Sequence, residues 1–132
     1  MKNRYFITYG LVIAGLLSLW GCSKETNIVP PFGTTISMPA DDTVTGGVQY
    51  TIHAVVQDPD GNPSNGVAVV FMSSNPTVAS FSSTSAVSQT SVESDKFGIA
   101  TVTVYTFSGK TGDANIAGDI MVDTKTMKLT VE

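Results

Sequence analysis

The residues of this chain whose types could do chemistry fall into three short clusters. Asp58, Asp60 and Asn62, with Gly61 among them, alternate oxygen-bearing side chains as the start of a calcium loop does, where successive oxygens wrap a hard cation. Such a loop closes with a glutamate where this chain has Val69, and no helical pattern flanks it, so a plain turn is the stronger reading of the three. Asp41-Asp42 reads the same way, as a solvated turn at the start of the domain. Ser108-Gly109-Lys110-Thr111 copies the end of a phosphate-binding loop, but the earlier glycine falls at Val104. A hairpin between Val104 and Ile116 takes its place. His53 is the only histidine and no Gly-x-Ser-x-Gly elbow exists, so neither a Ser-His-Asp triad nor a zinc site has its parts. No enzyme activity, metal or cofactor is expected.

Cys22 is the only cysteine, so no internal disulfide can form. Its surroundings suggest another use. Lys2 and Arg4 precede an uncharged apolar stretch from Phe6 to Trp20, followed by Gly21-Cys22, which is the three-part layout of an export signal. The stretch is shorter than the roughly 20 residues a membrane-spanning helix needs. Leu19-Trp20-Gly21-Cys22 resembles the lipobox of bacterial lipoproteins, with Trp20 where that motif usually has a small residue. The resemblance implies a signal peptide over 1–21, cleavage before Cys22 and acylation of Cys22, with the membrane as first partner. One acyl chain holds a membrane only marginally, whereas several anchor stably. Ser23 and Lys24 follow in place of an Asp, which favours the outer membrane if the host has two. Residues 22–33 are polar, end near Pro30-Pro31 and read as a tether.

What remains, 34–132, has the size of one small domain. The chain is 42% hydrophobic and 14% charged, which excludes a disordered tail or a coiled coil. Without Lys2 and Arg4 there are five lysines against eleven acids, a formal charge of −6, so nucleic acid is a poor partner. Val48, Tyr50, Ile52, Ala54 and Val56 alternate with Gln49, Thr51, His53 and Val55, the period of a strand with one buried face. The same period runs through Val67, Val69 and Phe71, through Ala100, Val102 and Val104, through Ala114, Ile116 and Ile120, and through Met127, Leu129 and Val131. Ile36 and Met38 start a first strand, and Val78 and Phe81 sit in a weaker one. Residues 73–94 hold nine Ser and three Thr, too polar for a central strand, and predict a weak edge strand plus a mobile loop. No helical period is sustained and no internal repeat appears. The expectation is all-β, with six or seven strands in two sheets.

Asp58-Pro59-Asp60-Gly61-Asn62-Pro63 leading to Gly66–Phe71, Asp95-Lys96-Phe97-Gly98-Ile99-Ala100-Thr101-Val102, and Gly112–Ile116 together resemble a bacterial immunoglobulin-like domain of group 1, the type repeated in invasin and intimin adhesins. The resemblance covers 34–132 and implies an immunoglobulin-like two-sheet Greek-key sandwich of about seven strands. The first motif is then the turn between the second and third strands, and the second motif is the turn entering the fifth. Turn chemistry alone accounts for the first motif: Asp58 and Asn62 bond nearby amides, Gly61 supplies positive φ and Pro63 fixes φ. Unlike those adhesins, this chain has a single module and no barrel segment, so adhesion is an analogy.

The function expected is a membrane-anchored immunoglobulin-like lipoprotein that binds or scaffolds a protein partner at the bacterial cell envelope or surface. One alternative is a subunit or spacer of a surface assembly joined by strand addition. Another is a carbohydrate-binding module, disfavoured because no Trp follows Cys22. If Ile52, Ala54, Val56, Ala100, Val102 and Val104 point inward, then His53, Val55, Ile99 and Tyr105 point outward from two strands that pair in such a sandwich. These four form the candidate binding surface, flanked by Thr101 and Thr103. The other sheet's outer face, with Asn115, Asp119, Lys128 and Thr130, is more polar.

Overall fold

A computed structural model describes residues 29–132, and the signal peptide expected over 1–21 and Cys22 lie outside the described residues. Nine strands follow in order: β1 Thr35–Ser37, β2 Asp42–Val44, β3 Gln49–Gln57, β4 Ala68–Ser73, β5 Ala79–Ser80, β6 Gln89–Glu93, β7 Ile99–Thr106, β8 Gly112–Asp119 and β9 Thr124–Val131. They form a four-stranded sheet in the order β1-β3-β7-β5 and a five-stranded sheet in the order β2-β9-β8-β4-β6. This is the two-sheet sandwich that the alternation predicts and the immunoglobulin-like fold that the resemblance implies, with no helix among the described residues.

Period two decides what is buried. In β3, Ile52, Ala54 and Val56 are sealed from solvent while Thr51 and His53 are exposed. Ala100, Val102 and Val104 of β7 stand beside them in register. Val69 and Phe71 of β4, Ala114 and Ile116 of β8, and Met127 and Leu129 of β9 close the core from the facing sheet. Each large aliphatic or aromatic side chain so buried contributes about 1.5–3 kcal/mol relative to exposure. Gly118 of β8 leaves room for the side chains packed over it, since an added Cβ would lie 3.0 Å from Ile36 Cδ1 and from Met38 Sδ.

Two strands exceed the expected count. Asp42, read as part of a solvated turn, begins β2, which runs parallel to β9 with Asp42 beside Leu129. Three residues show no period, and the strand is held from outside: the Asp41 carboxylate accepts the Lys128 N–H at 2.7 Å. The serine-rich stretch also folds further than its polarity predicts, into β5, β6 and a loop held between them. Ser80 Oγ accepts the Val87 N–H at 2.8 Å and donates to the Ser85 carbonyl at 2.7 Å, and Ser73 Oγ donates to the Ala79 carbonyl at 2.7 Å. Hydroxyls here do the work of ladder partners, which hydrophobic patterning does not register.

Candidate functional site

His53, Val55, Ile99 and Tyr105 all lie on the outer face of the four-stranded sheet, because β3 and β7 pair antiparallel. The register sets Val55 beside Ile99, His53 beside Thr101 and Tyr105 beside Gln49. His53 Nδ1 lies 3.0 Å from Thr101 Oγ1, so the imidazole is engaged across the strands. Val55 and Ile99 form a half-buried apolar pair, but Tyr105 lies six residues along β7, about 20 Å away at 3.3 Å per residue. Thr51 and Thr103 fill the rows between. The face therefore offers two small contact points at opposite ends, bridged by hydroxyls and one imidazole.

The loop that could hold calcium is tied by its own backbone. Asp58 Oδ1 accepts the Asp60 N–H at 2.9 Å and the Asn62 N–H at 2.8 Å, and Oδ2 lies 3.3 Å from Asn62 Nδ2. These bonds, the one from the Asn62 backbone first, hold the Asp58 carboxyl below the usual aspartate range. A cation would have to displace them. Among the described residues no group of three or more His, Cys, Asp or Glu could hold a metal ion. Ser108–Thr111 forms the β7–β8 connection, where Lys110 N–H donates to the Phe107 carbonyl at 3.1 Å and Gly109 has φ 73°.

A shallow polar groove runs along Asp41, Asp42, Thr43, Lys128 and Thr130. Its acids are occupied too, since Tyr50 Oη donates to Asp42 Oδ2 at 2.9 Å. Burial, then the bond to Asp42 and its charge, push the Tyr50 phenol upward.

A further surface was not visible in the alternation. Val29, Phe32, Phe97, Met121 and Val122 are exposed large apolar residues, and all belong to the end of the sandwich where the chain comes in. Phe32 is 96% exposed and Met121 77%. Strand direction places them together: β3, β4, β7, β8 and β9 each have a terminus there, and the Ile36 N–H donates to Asp123 Oδ2 at 3.1 Å across the two sheets. Met121 has φ 73°, a left-handed backbone that costs a non-glycine residue about 1–2 kcal/mol. Lys96 Nζ sits 5.0 Å from the Phe97 ring centroid. Phe97 lies within the Asp95–Val102 motif, but nothing in the sequence pattern marks Met121.

The fold defines an all-β, immunoglobulin-like two-sheet sandwich. No family model matches the chain, and no curated protein matches it. Among solved structures it is similar to domains 4 and 5 of the S-layer protein SbsC, with a TM-score of 0.54 and 22% identity over 73% of this chain and 50% of that one. It is also similar to a longer SbsC structure, with a TM-score of 0.55 and 22% identity over 74% of this chain and 12% of that one. The chain thus spans half or less of the length of these proteins, and the likeness is one of fold.

Proposed function

We propose that this chain is a lipid-anchored, non-enzymatic immunoglobulin-like module, related to the group 1 bacterial domains, that scaffolds or binds a protein at the bacterial cell envelope. The observation that carries the reading is the union of a leader ending in Leu19-Trp20-Gly21-Cys22 with a sandwich similar to S-layer protein domains. Several acyl chains on Cys22 hold the domain at the membrane, the outer one if the host has two, and the outward face with His53, Val55, Ile99 and Tyr105 is one place for a partner. Mass spectrometry of the mature protein tests the anchor: Cys22 is the first residue and carries acyl chains, and Cys22→Ser releases the protein from the membrane fraction. A cleaved protein with an unmodified Cys22 overturns it.

A second reading has its own observation. β6 is a five-residue edge strand bonded only to β4, so one side of its backbone is open to another strand. On this reading the chain is a spacer or subunit of a surface assembly joined by strand addition. Sedimentation of the concentrated protein tests it, and a monomer at every concentration counts against it.

A further inference from the structure

The end of the sandwich where the chain comes in carries nearly all of its exposed large apolar side chains. Val29 and Phe32 lie on the incoming segment, Phe97 in the turn into β7, and Met121 with Val122 in the β8–β9 turn. Tertiary contacts fix these pieces to one end. Gly33 lies against Pro59, where an added Cβ would be 3.2 Å from Cγ, and Gly98 lies against Pro63 and Ser64. The opposite end has only Val48 of this kind among the described residues. These side chains add nothing to the core, and clustered exposed apolar side chains mark a contact surface.

Chain length says what that surface meets. Seven residues separate Cys22 from Val29, a span of at most about 25 Å. The far end of the sandwich is further still by the eight residues of β7, about 26 Å. A membrane holding Cys22 therefore lies within reach of the apolar end and beyond reach of the opposite one.

We propose that Phe32, Phe97 and Met121 form an apolar crown that enters the interfacial layer of the lipid bilayer holding Cys22 and stands the domain upright on it. The inference rests on the lipid-anchor reading and adds an orientation to it. Aromatic and thioether side chains gain by leaving water at the headgroup boundary, and Lys96, lying over the Phe97 ring, keeps its ammonium among the headgroups as the ring enters. Acids at this end cap backbone amides, with Asp95 Oδ1 accepting the Phe97 N–H at 2.8 Å, Asp119 Oδ1 the Met121 N–H at 2.7 Å and Asp123 Oδ2 the Ile36 N–H at 3.1 Å, while Asp60 and Asp95 stay exposed. They still leave the end acidic, so the surface it fits is a zwitterionic one. The crown needs little affinity of its own, because the anchor supplies the local concentration.

The part after Cys22 has no Trp, so a single introduced Trp reports its own position. Mature chains beginning at Cys22 and carrying Phe32→Trp, Phe97→Trp or Tyr105→Trp are reconstituted into phosphatidylcholine vesicles with plain or brominated acyl chains, and the mass of the first peptide records the state of Cys22. Emission at positions 32 and 97 shifts to the blue and falls at least about twofold with bromine, while position 105 at the far end is unchanged. Phe32→Trp keeps the test open if Phe97→Trp misfolds. Acylated, vesicle-bound protein with no quenching at either crown position overturns the crown and leaves the anchor standing. Unmodified Cys22 with unquenched protein in the supernatant overturns both. Equal quenching at position 105 overturns the upright orientation. A blue shift in native envelopes, with no bromine quenching in the vesicles, assigns the crown to a protein partner and overturns the lipid assignment.

Discussion

The turns at Asp58–Asn62 and Asp95–Ile99 are built from the same hydrogen bonds. In each, the leading Asp Oδ1 accepts the N–H groups two and four residues on, at 2.9 and 2.8 Å for Asp58 and at 2.8 and 3.0 Å for Asp95. In each, the glycine N–H donates to the Asp carbonyl, at 3.0 Å for Gly61 and 2.9 Å for Gly98, and the Asp N–H donates to the fifth residue's carbonyl. Both glycines have positive φ, 84° and 73°. Only the surroundings differ. A Cβ on Gly61 meets nothing within 4 Å, whereas one on Gly98 would lie 2.4 Å from the Val56 carbonyl oxygen. Local sequence builds the turn, and tertiary contact decides how much of the fold depends on it.

The largest effect expected from this contrast is at Gly98. Gly98→Ala combines left-handed strain with a clash against β3 backbone, and the β3–β7 ladder must part; a loss of about 3 kcal/mol or more is expected in urea unfolding. Gly61→Ala meets only the strain, about 1 kcal/mol. Equal losses would show that the two turns share their context as well as their bonds. The core offers the same kind of pair one step further along β7. Val102→Asp puts an unpaired charge between the sheets and costs several kcal/mol, while Thr101→Asp on the open face is mild.

The acids of the turns titrate in a way that sharpens the comparison. The Asp58 carboxyl is held low by the Asn62 and Asp60 backbones, and that of Asp123 by the Ile36 N–H and then by Lys125. A carboxyl lower in the folded than in the unfolded chain adds stability above about pH 4, which is lost as the pH falls through its folded value. The urea midpoint should therefore drop as the pH falls below the ordinary aspartate range, about pH 4, and Asp58→Asn or Asp123→Asn should flatten that limb while lowering the midpoint at pH 7. An unchanged acid limb in both variants would mean that other carboxyls govern it. A smaller effect, of opposite sign, is expected beside the Pro59 turn. Thr34 Oγ1 is buried with no partner, so Thr34→Val removes an unpaired polar atom at the same shape and should raise the midpoint slightly.

The contrast also explains what could be read from the sequence. The inward faces of β3, β7, β8 and β9 were legible because period two is a property of the chain itself. The Asp58 turn was legible as turn chemistry for the same reason. β2 was not, because its three residues are held by β9, 87 residues along the chain, where the Lys128 N–H reaches back to Asp41. His53, Val55, Ile99 and Tyr105 share one side of the β3–β7 pair, but their division into two ends depends on register, which alternation leaves open. The apolar crown was illegible for a further reason: a turn tip shows no period, and only the strand directions bring residues 32, 97 and 121 to one end.

The last prediction exchanges what differs at the tips of the two turns. Pro59-Asp60 and Lys96-Phe97 occupy equivalent places, each between the capping Asp and the glycine, and only the N–H of the second residue is bonded to the capping carboxylate. Pro has no N–H to lose there, and Asp58 shows that an Asp before Pro adopts the required backbone. The double substitution Lys96→Pro with Phe97→Asp should therefore keep all the hydrogen bonds of the second turn. It removes the contact between Lys96 and the Phe97 ring, worth about 0.5–1 kcal/mol at an exposed site, and Pro returns part of that through the unfolded chain. Thermal unfolding should move by only about a degree or two, the shift that a few tenths of a kcal/mol makes in a domain of this size. A large loss would mean that the tip is part of the fold and that the two turns are alike only in their bonds. A small one separates the scaffold from what it displays, and leaves Phe97 free to serve the surface at which the chain meets its surroundings.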